Sequence, residues 1–253
     1  MSNSGVASDI RLYIKRKLEI MKKQRLFPSD VSVSQLTDQL VNGAGHMFLW
    51  ARLMIVFLKS PALTPKQRLR TISSINLLEG LDTIYSRMLS LIAQAPEPEI
   101  RLAMTIFTWL AGTRRSISEA ELQEALICER SGADPDEDDD FGDFCYAVVM
   151  TCGGLVEPSS LFQSHMIRGK HFQFVHLSAR NFFLDLQPGS RAVPEKLRPY
   201  LQTTEEINWR IASACLRYLA HKMPRAPLSG RIDKGVEITS LMTRLPLASY
   251  ASA

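Results

Sequence analysis

Phe144-Cys145-Tyr146-Ala147-Val148-Val149-Met150-Thr151-Cys152-Gly153-Gly154-Leu155-Val156-Glu157 changes period part-way along, and that change decides the fold. Residues 144–152 carry no charge and read as a short helix, stopped by the glycine pair that can enter the left-handed region. Leu155–Glu157 then reads as a strand, and Phe172–Val175 as a second one across a polar loop. Ser178 is placed to cap a last short helix, Ala179–Leu186, which Pro188 and Gly189 end.

Upstream, Ser118 and Glu121 fit a capping box, in which hydroxyl and carboxylate each satisfy a backbone amide of the other, with Ile117 and Leu122 at the positions of a hydrophobic staple. That helix runs to about Cys128. The one before it is marked by Ile100, Ala103, Ile106, Phe107 and Leu110. Three helices followed by two strands with a long turn between them is the order of a winged helix.

The first ninety-five residues read as helices only. Ile10, Tyr13, Ile14, Leu18 and Met21 make one apolar face, with Arg11, Lys15, Glu19 and Lys22 opposite, a solvated face. Residues 31–42 suggest a second helix, broken by Gly43 and Gly45. His46–Lys59 is apolar almost all round and should be the most buried, ending at Pro61 and Pro65. Phe48, Trp50, Phe57, Phe107 and Trp109 are read as core packing. Leu81, Ile84, Tyr85, Met88 and Ile92 mark another helix, and Pro96 with Pro98 a boundary. Ile207, Ile211, Ala214, Cys215 and Tyr218 give a late helix, and after Pro224 no firm pattern follows. The expected fold is mainly α: a helical domain over 1–95, a winged helix with a small two- or three-stranded β wing over 96–190, and a C-terminal helical tail, 191–253, the start of a second helical region.

Composition narrows the function. The chain has 253 residues, 45% hydrophobic and 22% charged, with a net charge of +4, an ordinary globular balance. Met47–Leu58 is too short to span a bilayer. The polar run Ser2–Asp9 is not a secretory leader, so a cytoplasmic protein is expected. Cys128, Cys145, Cys152 and Cys215 form no CxxC pair and are read as reduced thiols. His165, His171 and His176 with Cys152 match no common zinc spacing. The acidic block from Asp134 to Asp143 lacks the glycine a calcium loop needs. The sole Gly169-Lys170 pair has Ser164 and His171 where a phosphate-binding loop needs glycine and a hydroxyl. No nucleophile elbow occurs. The expectation is a non-enzyme with no metal. DNA binding is disfavoured because Phe144–Cys152, the candidate recognition helix, has no Lys or Arg to meet phosphates.

Several stretches, taken in order, resemble the region that follows the nucleotide-binding fold in fungal NACHT-type (NLR-like) signalling ATPases of the STAND class. They are Asp9-Ile10-Arg11-Leu12-Tyr13-Ile14, Gly45-His46-Met47-Phe48-Leu49-Trp50-Ala51-Arg52-Leu53, Gly80-Leu81-Asp82-Thr83-Ile84-Tyr85 and Trp109-Leu110 with Arg114–Leu122. Cys152–Val156, Phe174–Leu184, Ala214–Leu219 and Pro246–Ala251 continue the series. The winged helix is also similar to the one in proteins labelled GPI inositol-deacylase-like, although the lipase nucleophile motif is absent.

The resemblance implies a switch. The helical and winged-helix parts fold over ADP bound to the core, and a winged-helix histidine approaches the β-phosphate; His176 is the matching position. ADP or ATP is then expected only in a longer parent, not in this chain. Partners would be the nucleotide-binding core and C-terminal ankyrin or WD repeats, with no nucleic acid and no membrane. Two other readings are a free-standing adaptor tuning full-length NACHT proteins and, less favoured, a DNA-binding winged helix.

Overall fold

The computed structural model describes residues 3–75, 80–131, 142–159, 170–186, 193–223 and 244–251. Contacts divide the chain into two compact units, one from residues 1–95 with 192–194 and one from 96–191 with 195–253.

The first unit is helical. Helix α1 (Asn3–Lys23) buries Ile10, Ile14, Leu18 and Met21, one side chain per turn of a single stripe. Helix α2 (Val33–Ala44) starts at Ser32, whose hydroxyl accepts from the Gln35 amide at 3.4 Å. It ends at Gly45, held at φ 50°, where a side chain would be strained. Gly43 does not break this helix. It lies inside α2, where a Cβ would stand 2.4 Å from Ile75 Cγ2 and 3.0 Å from Trp50 Cη2; the glycine is there for close packing.

Helix α3 (Phe48–Lys59) buries Trp50, Leu53, Met54, Phe57 and Leu58. Phe48 departs from its expected place in the core. It is 44% exposed on the first turn and leans on Tyr13, ring centroids 5.0 Å apart. Pro61 and Pro65 bound a turn, but Pro65 opens another helix, α4 (Pro65–Ser73). Thr64 and Gln67 form a reciprocal capping box there, and proline suits the first position because its missing N–H would be unpaired anyway. Arg68 of α4 is buried and donates from Nε to the Leu58 carbonyl at 2.7 Å and from Nη2 to Ser60 at 2.8 Å. It thereby satisfies carbonyls that α3 leaves open at its end. Helix α5 (Leu81–Ile92) packs on α3.

The second unit is built around α6 (Glu97–Gly112), which buries Ile100, Ala103, Met104, Ile106, Phe107, Trp109 and Leu110. Strand β1 (Ile117–Ser118) leads into α7 (Glu119–Ser131), then α8 (Phe144–Thr151), β2 (Val156–Ser159), β3 (His171–Phe174) and α9 (Leu177–Asp185). The strands form one antiparallel sheet in the order β1-β3-β2, with Ile117 opposite Phe172 and Val156 opposite Phe174. Sequence periodicity finds β2 and β3 but not β1, because two residues show no alternation. The expected capping box is present: the Ser118 amide donates to Glu121 at 2.8 Å and the Glu121 amide to Ser118 Oγ at 3.3 Å. Asp143, the last residue of the acidic block, caps α8 by accepting from the Tyr146 amide at 2.9 Å. Residues 134–141 of that block lie outside the described residues. Gly153 and Gly154, at φ 60° and 82°, turn the chain from α8 into β2.

Phe107, Phe174 and Phe183 stack at centroid distances of 4.4–6.0 Å and join α6, β3 and α9. A 3-10 turn (Glu195–Tyr200) precedes α10 (Thr204–Lys222), which a Thr203/Glu206 capping box starts. Helix α11 (Pro246–Ala251) packs on α7 and α10. The described parts of the 191–253 segment therefore belong largely to the second unit. Gly112 makes the crossing of α6 and α10 close, since a Cβ would stand 2.5 Å from Ile207 Cγ2 and 2.6 Å from Ile211 Cδ1.

Candidate functional site

His176 joins β3 to α9. Its backbone is extended (φ −163°, ψ 153°), and its own side chain caps the helix. Nδ1 accepts the Ser178 amide at 3.1 Å and lies 2.7 Å from Ser178 Oγ. The cap is thus His176 and not the expected Ser178. The reason is geometric: His176 is the last extended residue, so its ring reaches the second helical amide, whereas Ser178 already has helical neighbours. An N–H can only donate, so Nδ1 is the acceptor and a neutral ring carries its proton on Nε2. The residue is exposed. The arrangement orients the ring by the cap, with its Nε2 edge at an exposed position beside the N-terminal, positive end of α9. The Val175 N–H donates a hydrogen bond to the Leu155 carbonyl, 3.0 Å, which ties the segment before His176 to the start of β2.

Of the other residues in the histidine cluster, two are described. His171 is buried on β3 and Cys152 is buried behind α8, while His165 lies outside the described residues. Among the described residues, no three His, Cys, Asp or Glu side chains converge as a metal site would require. Burial pushes the Cys152 thiol far up, and burial with neighbouring Cys128 pushes Cys215 up to about 11. Neither thiol is primed for nucleophilic attack. Helix α8 buries Phe144 and Val148 and presents Tyr146 (63% exposed) and Met150 (58%) outward, without a charge along its length.

A second feature has no local signature. An open cleft of about 680 Å³ lies among α6, α7 and α10, lined by Glu97, Glu99, Arg101, Leu102, Glu129 and Arg210. Arg210 grips Glu129 with two nitrogens, Nε at 2.9–3.0 Å and Nη2, and also reaches Gln202 and Thr105 at 3.2 Å each. Trp109 Nε1 donates to Glu129 at 2.9 Å. Charge-assisted, bidentate bonds of this kind are the stronger ones, and here they tie three helices together. Eighty-one residues separate Arg210 from Glu129, so no spacing rule could pair them. Closer to α11, Arg115 binds buried Glu121 with both nitrogens (2.6 and 3.1 Å) and stacks over the Tyr250 ring at 4.8 Å.

With this geometry in view, comparison with known proteins gives one informative result. The chain is similar to the vegetative incompatibility protein HET-E-1 of Podospora anserina. The two are 24% identical over 229 residues, which is 89% of this chain and 15% of HET-E-1. The chain therefore spans less than a sixth of that relative's length. HET-E-1 is a fungal NACHT-type STAND NTPase, so the likeness is a distant, NACHT-related one. No protein-family model matches the chain, and no solved structure matches it.

Proposed function

We propose that the chain is the helical and winged-helix regulatory segment of a NACHT-type signalling ATPase, a non-catalytic part that folds over the nucleotide held by the core. The observation that carries this reading is the similarity to HET-E-1 along 89% of the chain. The order α6-β1-α7-α8-β2-β3, with the sheet order β1-β3-β2, supports a winged helix for the second unit. In this reading His176 donates Nε2–H to a β-phosphate of ADP held by the core, with α9 adding its dipole. The chain itself performs no turnover and holds no metal. Its partners are the nucleotide-binding core and a repeat array of the ankyrin or WD type, in the cytoplasm.

The uncharged, Tyr146- and Met150-bearing face of α8 favours a protein neighbour over DNA, since phosphate neutralisation needs Lys or Arg. The sequence contains no helix among the described residues long and apolar enough to cross a membrane.

An immunoblot of native extract with an antibody to this chain tests the reading. A band far above 28.5 kDa is expected. A band at that mass would favour a free-standing adaptor instead. In the larger protein, His176→Asn keeps a capping side chain and removes the imidazole, so it should lower ADP retention without loosening α9. Unchanged retention would remove His176 from the nucleotide site.

A further inference from the structure

Helix α10 carries two apolar faces. The inner one, Ile207, Ile211, Ala214, Cys215 and Tyr218, is buried against α6 and α7. The outer one consists of Trp209, Ala212, Ser213, Leu216, Leu219 and Ala220, which recur with a seven-residue period, the pattern of a helix-pairing seam. Trp209 is 73% exposed and Leu216 65%, whereas Trp50 and Trp109 are fully buried. A tryptophan left in water at the head of an apolar stripe is the kind of anchor that interfaces use.

Charge order selects the occupant. The stripe itself is uncharged; Glu205 and Glu206 stand at its start, and Arg217, His221 and Lys222 towards its end. On a helical projection Glu206 and Arg217 fall on the same flank. Pair two copies antiparallel about a two-fold axis and Trp209 of each meets Leu216 of the other. Small Ala212 and Ser213 then cross at the axis, and each Glu206 comes beside the other copy's Arg217. In a parallel pair the two-fold axis runs along the helices and puts Glu206 and Arg217 of one copy on the opposite side of the seam from those of the other, so neither charge pair forms. Glu206 uses Oε2 for the Thr203 amide at 2.7 Å, and Arg217 uses Nε for the Ser213 carbonyl at 3.3 Å. Each keeps further oxygen or nitrogen atoms for a partner.

We propose that the outer face of α10 is a self-association surface on which a second copy of this chain docks antiparallel, with Trp209 as its anchor. The surface is isologous, as two-fold pairing requires.

Sedimentation of the full chain across the micromolar range should show a concentration-dependent dimer. Trp209→Asp should leave it monomeric with an unchanged far-ultraviolet spectrum. Acrylamide quenching should find one accessible tryptophan at low concentration and none at high. A Ser213→Cys chain should oxidise to a dimer whose disulfide maps to position 213 in both copies. Arg217→Glu and Glu206→Lys should each weaken pairing about tenfold or more, since either one replaces both cross-copy pairs of the two-fold dimer with like charges; mixing the two variants should restore it, because both cross-copy pairs regain opposite charge.

Any of three results overturns the proposal: a monomer at all concentrations with Trp209 open to quencher, a dimer untouched by Trp209→Asp, or shielding of Trp209 only by a different protein.

Discussion

Trp50 and Trp109 are both fully buried, one in each unit, and their indole N–H groups meet opposite fates. Trp109 donates to Glu129, which Arg210 holds in turn. The Trp50 N–H has no hydrogen-bond partner. It sits in an apolar helical core against Gly43, where a buried, unpaired donor costs roughly 1–3 kcal/mol. The first unit tolerates that cost because it is held by area and shape. The second adds a polar network that fixes which helix lies against which. Packing of the first kind accepts a side chain of similar bulk, and a network of the second kind loses its meaning when one member is removed.

The contrast predicts unequal responses to mutation. Trp50→Ala removes the largest side chain of the first core and should cost about 3–5 kcal/mol, read as an earlier urea transition confined to residues 1–95 by hydrogen exchange. A loss below about 1 kcal/mol would mean that other side chains carry that core. Glu129→Ala strands Arg210 and the Trp109 N–H and should cost roughly 2–3 kcal/mol in the second unit alone. Adding Arg210→Ala should return part of it; strictly additive losses in the double-mutant cycle would break the idea of a network.

The smallest effect is a pH dependence. Burial alone would raise the Glu121 carboxyl, but hydrogen bonds from Arg115 and from Ser118 outweigh it and hold the group below its ordinary range. A carboxyl lowered in the folded state contributes stability above the ordinary carboxylate range, which is lost as pH falls through its folded value. Acid melts of the second unit should therefore steepen below that range, and Glu121→Gln should flatten them. Equal slopes for both proteins would assign the acid sensitivity elsewhere.

The same contrast governs what could be read from the residues. The stripe of α1, the apolar run of α3 and the Ser118/Glu121 box are local patterns, and the structure carries them where periodicity and capping chemistry place them. Helix α4 escapes because Pro65 reads as a stop until Thr64 is recognised as its cap. Strand β1 escapes because two residues gain strand character only from β3 beside them. Phe48 was expected inside, but the first turn of α3 faces outward there. The cleft and its Arg210–Glu129 tie are products of tertiary folding. Of the candidate site, His176 enters only through the family resemblance, and its bond to Ser178 follows from backbone geometry that the residue order does not display.

Gly112 has a consequence for how this protein can drift over evolution. Two isoleucines of α10 occupy the space a methyl group would need, so the spacing of two helices is recorded at a position with no chemistry of its own. A lineage could replace Gly112 only if both Ile207 and Ile211 gave way as well. Glycine kept at this point across descendants would testify to the gap between two rods, and it should not be mistaken for the mark of a ligand.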